Sequence, residues 1–322
     1  MKLSVVIPVY NSAHTLTALV GRLQACLRDI TFELVLINDG SRDRSEAVGN
    51  ELADAYDNVQ FISLRRNFGE FNAVLCGLNY AQGEFVVLID DDFQNPPEAI
   101  LTLLETAESG GHDVVYSRYA QKQHSFFRNA GSGLLNGLAT HLIGKPRSLY
   151  LSSFKLIRRE VVDEIIRYKG PYPYIDGLIF RVTRYVTSVE VPHHTRQTGE
   201  SNYTLRKLIS LFITVVTGYS VWPLRVFTVV GLGLFLLSLL VGTGLLAASL
   251  TGTSTVSGWQ VVLWTVLLLS GLQLLFLGVV GEYIGKLFMT QSGLPPYVVK
   301  QSRQTNQSWQ TTTNTRRDDW PA

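Results

Sequence analysis

The feature that most constrains this chain is a run of 56 consecutive residues, 226–281, without one Asp, Glu, Lys or Arg. Two segments of it, 226–250 and 259–281, are long enough, at about 1.5 Å per helical residue, to cross a hydrocarbon layer of about 30 Å. A buried helix pair in a soluble core is the alternative, but such helices normally present a charged outer face, and this run has none. The sequence therefore predicts a two-helix transmembrane hairpin.

The charges that flank this run predict its orientation. Positive residues precede and follow it, whereas the link 251–258 has no positive charge; they are Arg206, Lys207, Arg225, Lys286, Lys300 and Arg303. Because Lys and Arg accumulate on the cytoplasmic side, we expect an inner (cytoplasmic) membrane protein with both termini in the cytoplasm. The segment 282–322 is then a cytoplasmic tail, which we expect to be disordered from residue 301 because it is polar and lacks apolar periodicity.

The segment just before the hairpin, 204–225, has apolar residues at a loosely helical spacing. This pattern predicts an amphipathic helix that lies in the membrane interface. A third membrane crossing is the alternative, although the uncharged stretch 208–224 has only 17 residues and contains Gly218 and Pro223.

The remaining residues, 1–203, have the pattern of a separate cytoplasmic domain. Short apolar runs alternate with helical patterns, and these runs are residues 3–9, 33–37, 59–64, 84–89 and 113–116. The alternation is typical of an α/β fold, a Rossmann-like and mostly parallel sheet with helices on both faces. Two cysteines predict no disulfide framework, and a net charge of +2 gives no reason to expect nucleic acid as a partner. Ligands should bind beyond the carboxyl ends of the strands.

One strand end carries three consecutive carboxylates, Asp90, Asp91 and Asp92, followed by Gln94. The negative charges of three adjacent carboxylates repel one another unless a cation neutralises them, and oxygen ligands of this kind suit Mg²⁺ or Mn²⁺. A helix-capping turn is the alternative, with Asn95 as the cap and Pro96 in the first helical turn.

A second strand end carries Asp39 in an Asn-Asp-Gly-Ser loop. Its carboxylate is a candidate acceptor for the ring N–H of uracil or thymine, with guanine left open; an Asx turn is the alternative. The chain contains neither the Gly-x-Gly-x-x-Gly of a dinucleotide site nor a P-loop, which weakens oxidoreductase and NTPase interpretations.

Four motifs together resemble the family 2 glycosyltransferases, which have the GT-A fold. They are Ser4–Asn11, Asn38–Ser41, Arg66–Gly69 and Asp90–Pro97. The segment Arg196–Tyr203, placed before an interfacial helix and a hairpin, is similar to the polyisoprenyl-phosphate glycosyltransferases, the group of dolichyl-phosphate mannose synthase. The resemblance covers residues 1 to about 300.

The resemblance implies a role for each matching residue. The donor-binding residues would be Pro8, Tyr10, Asn11, Asp39, Arg66, Gly69, Asp90 and Asp91. Asp92 and Gln94 would hold the Mg²⁺ or Mn²⁺ that bridges the donor diphosphate. The acceptor phosphate would be held by Arg118, Arg128, Arg196 and Ser201. The catalytic group would be Asp90, Asp92, Arg128, Arg196 and Ser201.

The chain departs from the family pattern at two places. Many members have Ser-Lys where this chain has Ser201 and Asn202, and many have Gly-Asp-Phe-Arg-Leu at residues 152–156, where this chain reads Ser-Ser-Phe-Lys-Leu. The missing carboxylate leaves Asp91, Asp176 and His194 as substitute bases. A phosphate acceptor, with a second pKa of about 6, is mostly dianionic at neutral pH and can attack without a base.

The expected activity is inverting, metal-dependent transfer of a sugar from a nucleoside-diphosphate sugar to a polyprenyl phosphate, which would be undecaprenyl phosphate in a bacterium. A processive polysaccharide synthase is one alternative, but the chain lacks its Gln-x-x-Arg-Trp motif and further membrane helices. A non-catalytic membrane scaffold is the other alternative. The identity of the sugar and the formation of a homo-oligomer stay open.

Overall fold

The computed structural model describes residues 1–119, 146, 149–170, 173–192, 258–291, 293 and 295–304, and scattered positions between 229 and 247. The chain divides into two units. One comprises Met1–Asn202 and Leu294–Ala322, and the other comprises Tyr203–Gly293.

The first unit contains one sheet and the helices that cover it. Its strands are β1 (Leu3–Val9), β2 (Phe32–Asn38), β3 (Val59–Leu64), β4 (Phe85–Leu88), β5 (Val114–Tyr119), β6 (Lys155–Arg158), β7 (Val186–Val191) and β8 (Val299–Arg303). Its helices are α1 (Ala13–Cys26), α2 (Ser45–Ala55), α3 (Glu70–Tyr80), α4 (Ala99–Gly110), α5 (Arg159–Ile165) and α6 (Ile175–Val182). The second unit contains α7 (Gly258–Gln291).

The sheet is mixed and mostly parallel, with the strand order β7-β5-β6-β4-β1-β2-β3-β8. The pairs β1–β2, β1–β4, β2–β3 and β5–β7 are parallel. The β-branched and leucine-rich runs of β1 and β2 are buried because helices cover both faces of a parallel sheet. The predicted α/β architecture is confirmed, and all five predicted strands form within three residues of their expected bounds.

Strand β6 lies antiparallel between β4 and β5. An antiparallel strand begins at the edge where its parallel neighbours end. Ser152 and Ser153, just before β6, therefore lie at the carboxyl edge of the sheet with the loops that follow β1, β2 and β4.

The last described segment of the chain, 299–303, forms a strand of the sheet. Strand β8 pairs antiparallel with β3, and the ion pairs Lys300–Glu46 and Arg303–Asp54 hold it at 2.7 Å each. The expected disorder from residue 301 was therefore wrong for residues 301–303. Backbone pairing and two ion pairs order a segment that has no apolar pattern.

The second predicted membrane helix, 259–281, lies within α7, and the described positions between 229 and 247 are helical. The predicted interfacial segment, 204–225, lies outside the described residues. Across the part of the chain that the structure describes, no helix combines the length and the apolarity that a membrane crossing requires.

Candidate functional site

Asp39 links the end of β2 to the segment that precedes α3. Its two carboxylate oxygens accept the backbone N–H groups of Phe68 at 2.7 Å and of Gly69 at 2.9 Å. Burial raises the pKa of Asp39, and these two hydrogen bonds oppose that shift. Asp39 is only 3% exposed, so this carboxylate first of all orders the Arg66–Gly69 segment against the end of β2.

Two glycines make this contact sterically feasible. Gly40 has φ +63°, and a Cβ there would lie 2.5 Å from the carbonyl carbon of Arg66 and from the nitrogen of Asn67. Gly69 has φ +93°, a region that residues with a Cβ rarely adopt. An Asx turn was the alternative interpretation of Asp39, but its carboxylate accepts the N–H groups of Phe68 and Gly69. Within the loop it is Asn38 Oδ1 that accepts the N–H of Ser41, three residues on, at 3.1 Å.

Asn11 joins the loop after β1 to the loop after β2. Its side-chain oxygen accepts the N–H of Arg42 at 2.8 Å, and its own N–H donates to Ser41 Oγ at 3.0 Å. Asn11 has φ 57°, a left-handed conformation that asparagine tolerates better than most residues. Pro8 lies within β1 opposite Ile37, and the neighbouring Tyr10 is exposed at the strand end.

The three aspartates after β4 point to different partners. Asp91 accepts the N–H of Tyr10 at 3.4 Å and a hydrogen bond from the side chain of Ser12. Burial raises the pKa of Asp91 to about 6, and the neighbouring negative charges of Asp90 and Asp92 contribute to this rise. Asp91 thus connects the acidic loop to the β1 loop.

Asp92 lies at a sharp turn in the same loop. Its Oδ1 accepts the N–H of Gln94 at 3.1 Å, and the intervening Phe93 has φ 61°, which is strained for an aromatic residue. The alternative interpretation of this loop, a helix cap at Asn95, is not what the structure shows, since α4 begins at Ala99 and Asn95 Oδ1 accepts the hydroxyl of Tyr119 at 2.7 Å.

Asp92 and Gln94 are a carboxylate and an amide separated by one residue, a donor set of hard oxygens that fits Mg²⁺ or Mn²⁺. Within the described ranges, no three His, Cys, Asp or Glu side chains are grouped as a metal site. A cation held by these two residues would therefore keep most of its coordination positions for water and diphosphate oxygens.

A chain of hydroxyl groups fixes the far side of the acidic loop. Tyr119 Oη, which contacts Asn95, lies 2.9 Å from Ser152 Oγ, and Ser152 Oγ accepts the hydroxyl of Ser117 at 2.8 Å. Next to it, Ser153 donates its hydroxyl to Asp90 Oδ2 at 2.6 Å. Sequence reasoning noted residues 152–156 only as a departure from a pattern and did not place Ser153 in the site.

Some of the other predicted site residues lie in the part of the chain that the structure describes, and others lie outside it. Arg118, at the end of β5, is paired with Glu190 on β7 at 3.3 Å, and Arg66 stacks on the ring of Phe68 at 4.6 Å. The predicted acceptor residues Arg128, Arg196 and Ser201, and the substitute base His194, lie outside the described residues.

Asp176, another substitute base, is buried and has a structural contact set. It accepts the hydroxyl of Tyr116 at 2.8 Å and forms an ion pair with Lys155. An aspartate that is enclosed and paired in this way is not available as a base.

Comparisons with known proteins show the family of the chain. Residues 4–166 match the family described as Glycosyl transferase family 2. The chain is 34% identical over 308 residues to the uncharacterized glycosyltransferase YkcC of Bacillus subtilis, with 93% of each chain covered. It is 34% identical over 307 residues to the undecaprenyl-phosphate 4-deoxy-4-formamido-L-arabinose transferase of Proteus mirabilis, again with 93% of each chain covered.

Solved structures show the same fold. One is glucosyl-3-phosphoglycerate synthase from Mycobacterium tuberculosis in complex with Mn²⁺, uridine diphosphate and phosphoglyceric acid, with a TM-score of 0.52 and 20% identity. The match covers 67% of this chain and 76% of that one. With its mixed sheet, its acidic loop after β4 and relatives that are a third identical over almost its whole length, the chain belongs to glycosyl transferase family 2 and is a glycosyltransferase.

Proposed function

We propose that the protein transfers a sugar from a nucleoside-diphosphate sugar, with UDP as the nucleotide, to undecaprenyl phosphate at the cytoplasmic face of the membrane. The observation that carries this proposal is the meeting of three loops at one sheet edge: the β2 loop with Asp39, the β1 loop with Tyr10 and the β4 loop with Asp90, Asp91 and Asp92. Ligands bind at this edge in open α/β sheets.

Two relatives support the substrate classes. The Proteus mirabilis relative is named for undecaprenyl phosphate as its acceptor, and the Mycobacterium tuberculosis structure binds Mn²⁺ and uridine diphosphate. In this chain Asp39, already held by two backbone N–H groups, would accept the ring N–H of uracil with its remaining lone pairs. Asp92 and Gln94 would hold Mg²⁺ or Mn²⁺, which when bound neutralises charge on the departing diphosphate.

The reaction that follows is a direct displacement. A phosphate oxygen of the lipid forms a bond to the anomeric carbon while the bond from that carbon to the diphosphate oxygen breaks. The nucleoside diphosphate leaves with the electron pair, and the configuration at the anomeric carbon inverts. Since the acceptor, with a second pKa of about 6, is already mostly dianionic at neutral pH, no protein base is needed. This is compatible with Ser153 at the position where many members have a carboxylate. Arg118, Arg128, Arg196 and Ser201 are the proposed contacts to the acceptor phosphate.

A membrane-embedded second unit fits this acceptor. The 56-residue uncharged run would form the hairpin 226–250 and 259–281, preceded by the interfacial helix 204–225. Large apolar side chains on α7, among them Trp259, Val262 and Leu277, are exposed. Large exposed apolar surfaces of this kind mark sites of contact with a membrane or with another protein, which supports the proposed hairpin.

The pairing of β8 with β3 restricts how the chain can cross a bilayer. Both strands belong to one hydrogen-bonded sheet, and a sheet cannot be divided by a membrane. The chain must therefore cross an even number of times between Leu64 and Val299. A two-helix hairpin meets this condition, whereas a hairpin with a third crossing at 204–225 does not.

Cysteine labelling in intact cells tests this topology. With a membrane-impermeant maleimide, Ser254→Cys, in the link of the hairpin, should react from outside. Ser109→Cys on α4 and Gln304→Cys after β8 should react only after lysis, as should the native Cys26, which gives the background in the wild type. If Ser109→Cys and Gln304→Cys differed in their reactivity, the number of crossings would be odd and this topology would be wrong.

A donor panel tests the activity itself. The purified full-length protein in detergent, with Mn²⁺ and undecaprenyl phosphate, is offered UDP-4-deoxy-4-formamido-L-arabinose, UDP-glucose, UDP-N-acetylglucosamine, a dTDP-sugar and GDP-mannose. We expect mass spectrometry of the lipid to show one added sugar with a UDP-sugar, and no product after EDTA treatment. The absence of product with every donor would contradict the proposal and favour a scaffold, and a polymer would indicate a processive synthase.

A further inference from the structure

The register of β4 and β6 brings a hydroxyl group to the first aspartate of the acidic loop. The antiparallel ladder pairs Phe85 with Arg158 and ends with Leu88 opposite Lys155. The same register, continued two residues past Leu88 and two residues before Lys155, places Asp90 opposite Ser153. Ser153 Oγ donates to Asp90 Oδ2 at 2.6 Å, the distance typical of a hydroxyl bonded to an ionised carboxylate.

The neighbour of Ser153 holds this segment of backbone in place. Ser152 is buried, and its hydroxyl contacts those of Ser117 and Tyr119 and accepts the N–H of Phe154 at 3.2 Å. Ser153 itself is exposed, and its side chain is directed to the site edge rather than to the core. The hydroxyl on Asp90 therefore belongs to an anchored backbone, so the hydrogen bond orients the carboxylate.

We propose that Ser153 is a positioning residue that fixes the carboxylate of Asp90 for contact with the sugar of the bound donor. This inference rests on the proposed function and adds a residue to it. Asp90 lies two residues beyond the end of β4, at the edge where the donor would bind. A carboxylate with a hydrogen bond on one oxygen and a fixed rotamer presents its other lone pairs in one direction, and such preorganisation favours the reacting geometry.

The same geometry predicts what a carboxylate at position 153 would do in this chain. Ser153→Asp would place a second negative charge opposite Asp90 at close range, and like charges at such a distance disfavour each other. If the site instead lacked a base that an aspartate could restore, the same substitution would raise activity. The two interpretations thus predict effects of opposite sign.

Four variants of the full-length protein separate these roles. Ser153→Ala removes the donated hydrogen bond, and we expect kcat/KM for the active UDP-sugar to fall about tenfold, which corresponds to about 1.4 kcal/mol. Ser153→Thr keeps the hydroxyl and should retain most of the activity, and Ser153→Asp should fall below Ser153→Ala. Ser109→Ala, at an exposed serine on α4 whose hydroxyl donates to Glu105 O at 2.7 Å, is the matched control and should equal the wild type.

A binding measurement distinguishes positioning from a general structural effect. Uridine diphosphate lacks the sugar, so its affinity in the presence of Mn²⁺, measured by calorimetry, should be the same for Ser153→Ala and the wild type, as should the melting temperature. Wild-type transfer by Ser153→Ala, or a gain of activity in Ser153→Asp, would overturn this inference and leave the proposed function standing. A wild-type protein that transfers none of the donors would overturn both.

Discussion

Asp92→Ala is expected to remove Mn²⁺-dependent sugar transfer while leaving the protein folded. Asp92 is the predicted cation ligand, and the charge that develops on a departing diphosphate is the largest electrostatic demand in the reaction. Losing the group that holds the neutralising cation should lower kcat by at least about 10³-fold. The side chain lies in a partly exposed loop beyond the end of β4, so its removal opens no cavity in the core.

One further variant separates the charge of Asp92 from its role in the turn, and a second variant serves as a control. Asp92 Oδ1 accepts the N–H of Gln94, and Asp92→Asn keeps that acceptor while losing the negative charge. We therefore expect Asp92→Asn to keep the loop ordered and yet to bind Mn²⁺ with uridine diphosphate far more weakly than the wild type in calorimetry. Asp29→Ala, which removes a highly exposed carboxylate elsewhere, should leave transfer unchanged.

The Asp92 variants also test whether the acidic loop after β4 is the cation site. Wild-type transfer rates in both Asp92→Ala and Asp92→Asn would place the cation elsewhere. A loss of transfer accompanied by a large fall in melting temperature would mean that Asp92 stabilises the fold rather than the reaction. Only the combination of lost transfer, weakened metal binding and an unchanged melting temperature is what a cation ligand predicts.

The sequence predicted the parallel strands because each carries its own signal. The segments that became β1 and β2 are apolar and β-branched, as expected for strands that helices cover on both faces. Strand β8 carries no such signal: its sequence is VKQSR, and its order comes from pairing with β3 and from ion pairs to Glu46 and Asp54. A partner more than 200 residues away cannot be identified from local periodicity.

In the candidate site, too, the residues with a local sequence signal were predicted, and the contacts that depend on distant segments were not. Asp39 and the three aspartates were predicted because strand ends of a parallel sheet share one edge, a rule that needs only the order of strands. What Asp39 contacts was not predicted, since its two N–H donors come from the segment before α3. Ser153 was missed as a site residue because its contact with Asp90 depends on an antiparallel register between β4 and β6. The residues expected at the acceptor side, Arg128, Arg196 and Ser201, stay predictions.

Lys155→Met is expected to destabilise the first unit strongly, since it breaks a buried ion pair on one side only. The side chains of Lys155 and Asp176 are 4% and 11% exposed, and Lys155 also lies over the ring of Tyr116 at 4.9 Å. Burial and the charge of Asp176 raise the pKa of Tyr116, which therefore stays a hydrogen-bond donor to Asp176 and cannot replace the lost positive charge. A buried carboxylate that loses its cation costs about 3–5 kcal/mol of unfolding free energy.

The measurement is thermal unfolding of the full-length protein in detergent, in which about 3 kcal/mol corresponds to a fall in melting temperature of at least about 6 °C for a unit of this size. Glu190→Gln, which breaks the Arg118–Glu190 pair at 55% exposure on both sides, is the matched control and should cost no more than about 1 kcal/mol. The double variant Lys155→Met/Asp176→Leu, which removes both charges, should recover much of the loss. A fall for Lys155→Met no larger than that for Glu190→Gln would contradict a stabilising pair. Because Lys155 begins β6, its anchoring also sets the register that brings Ser153 to Asp90, so Lys155→Met should reduce transfer as well as stability.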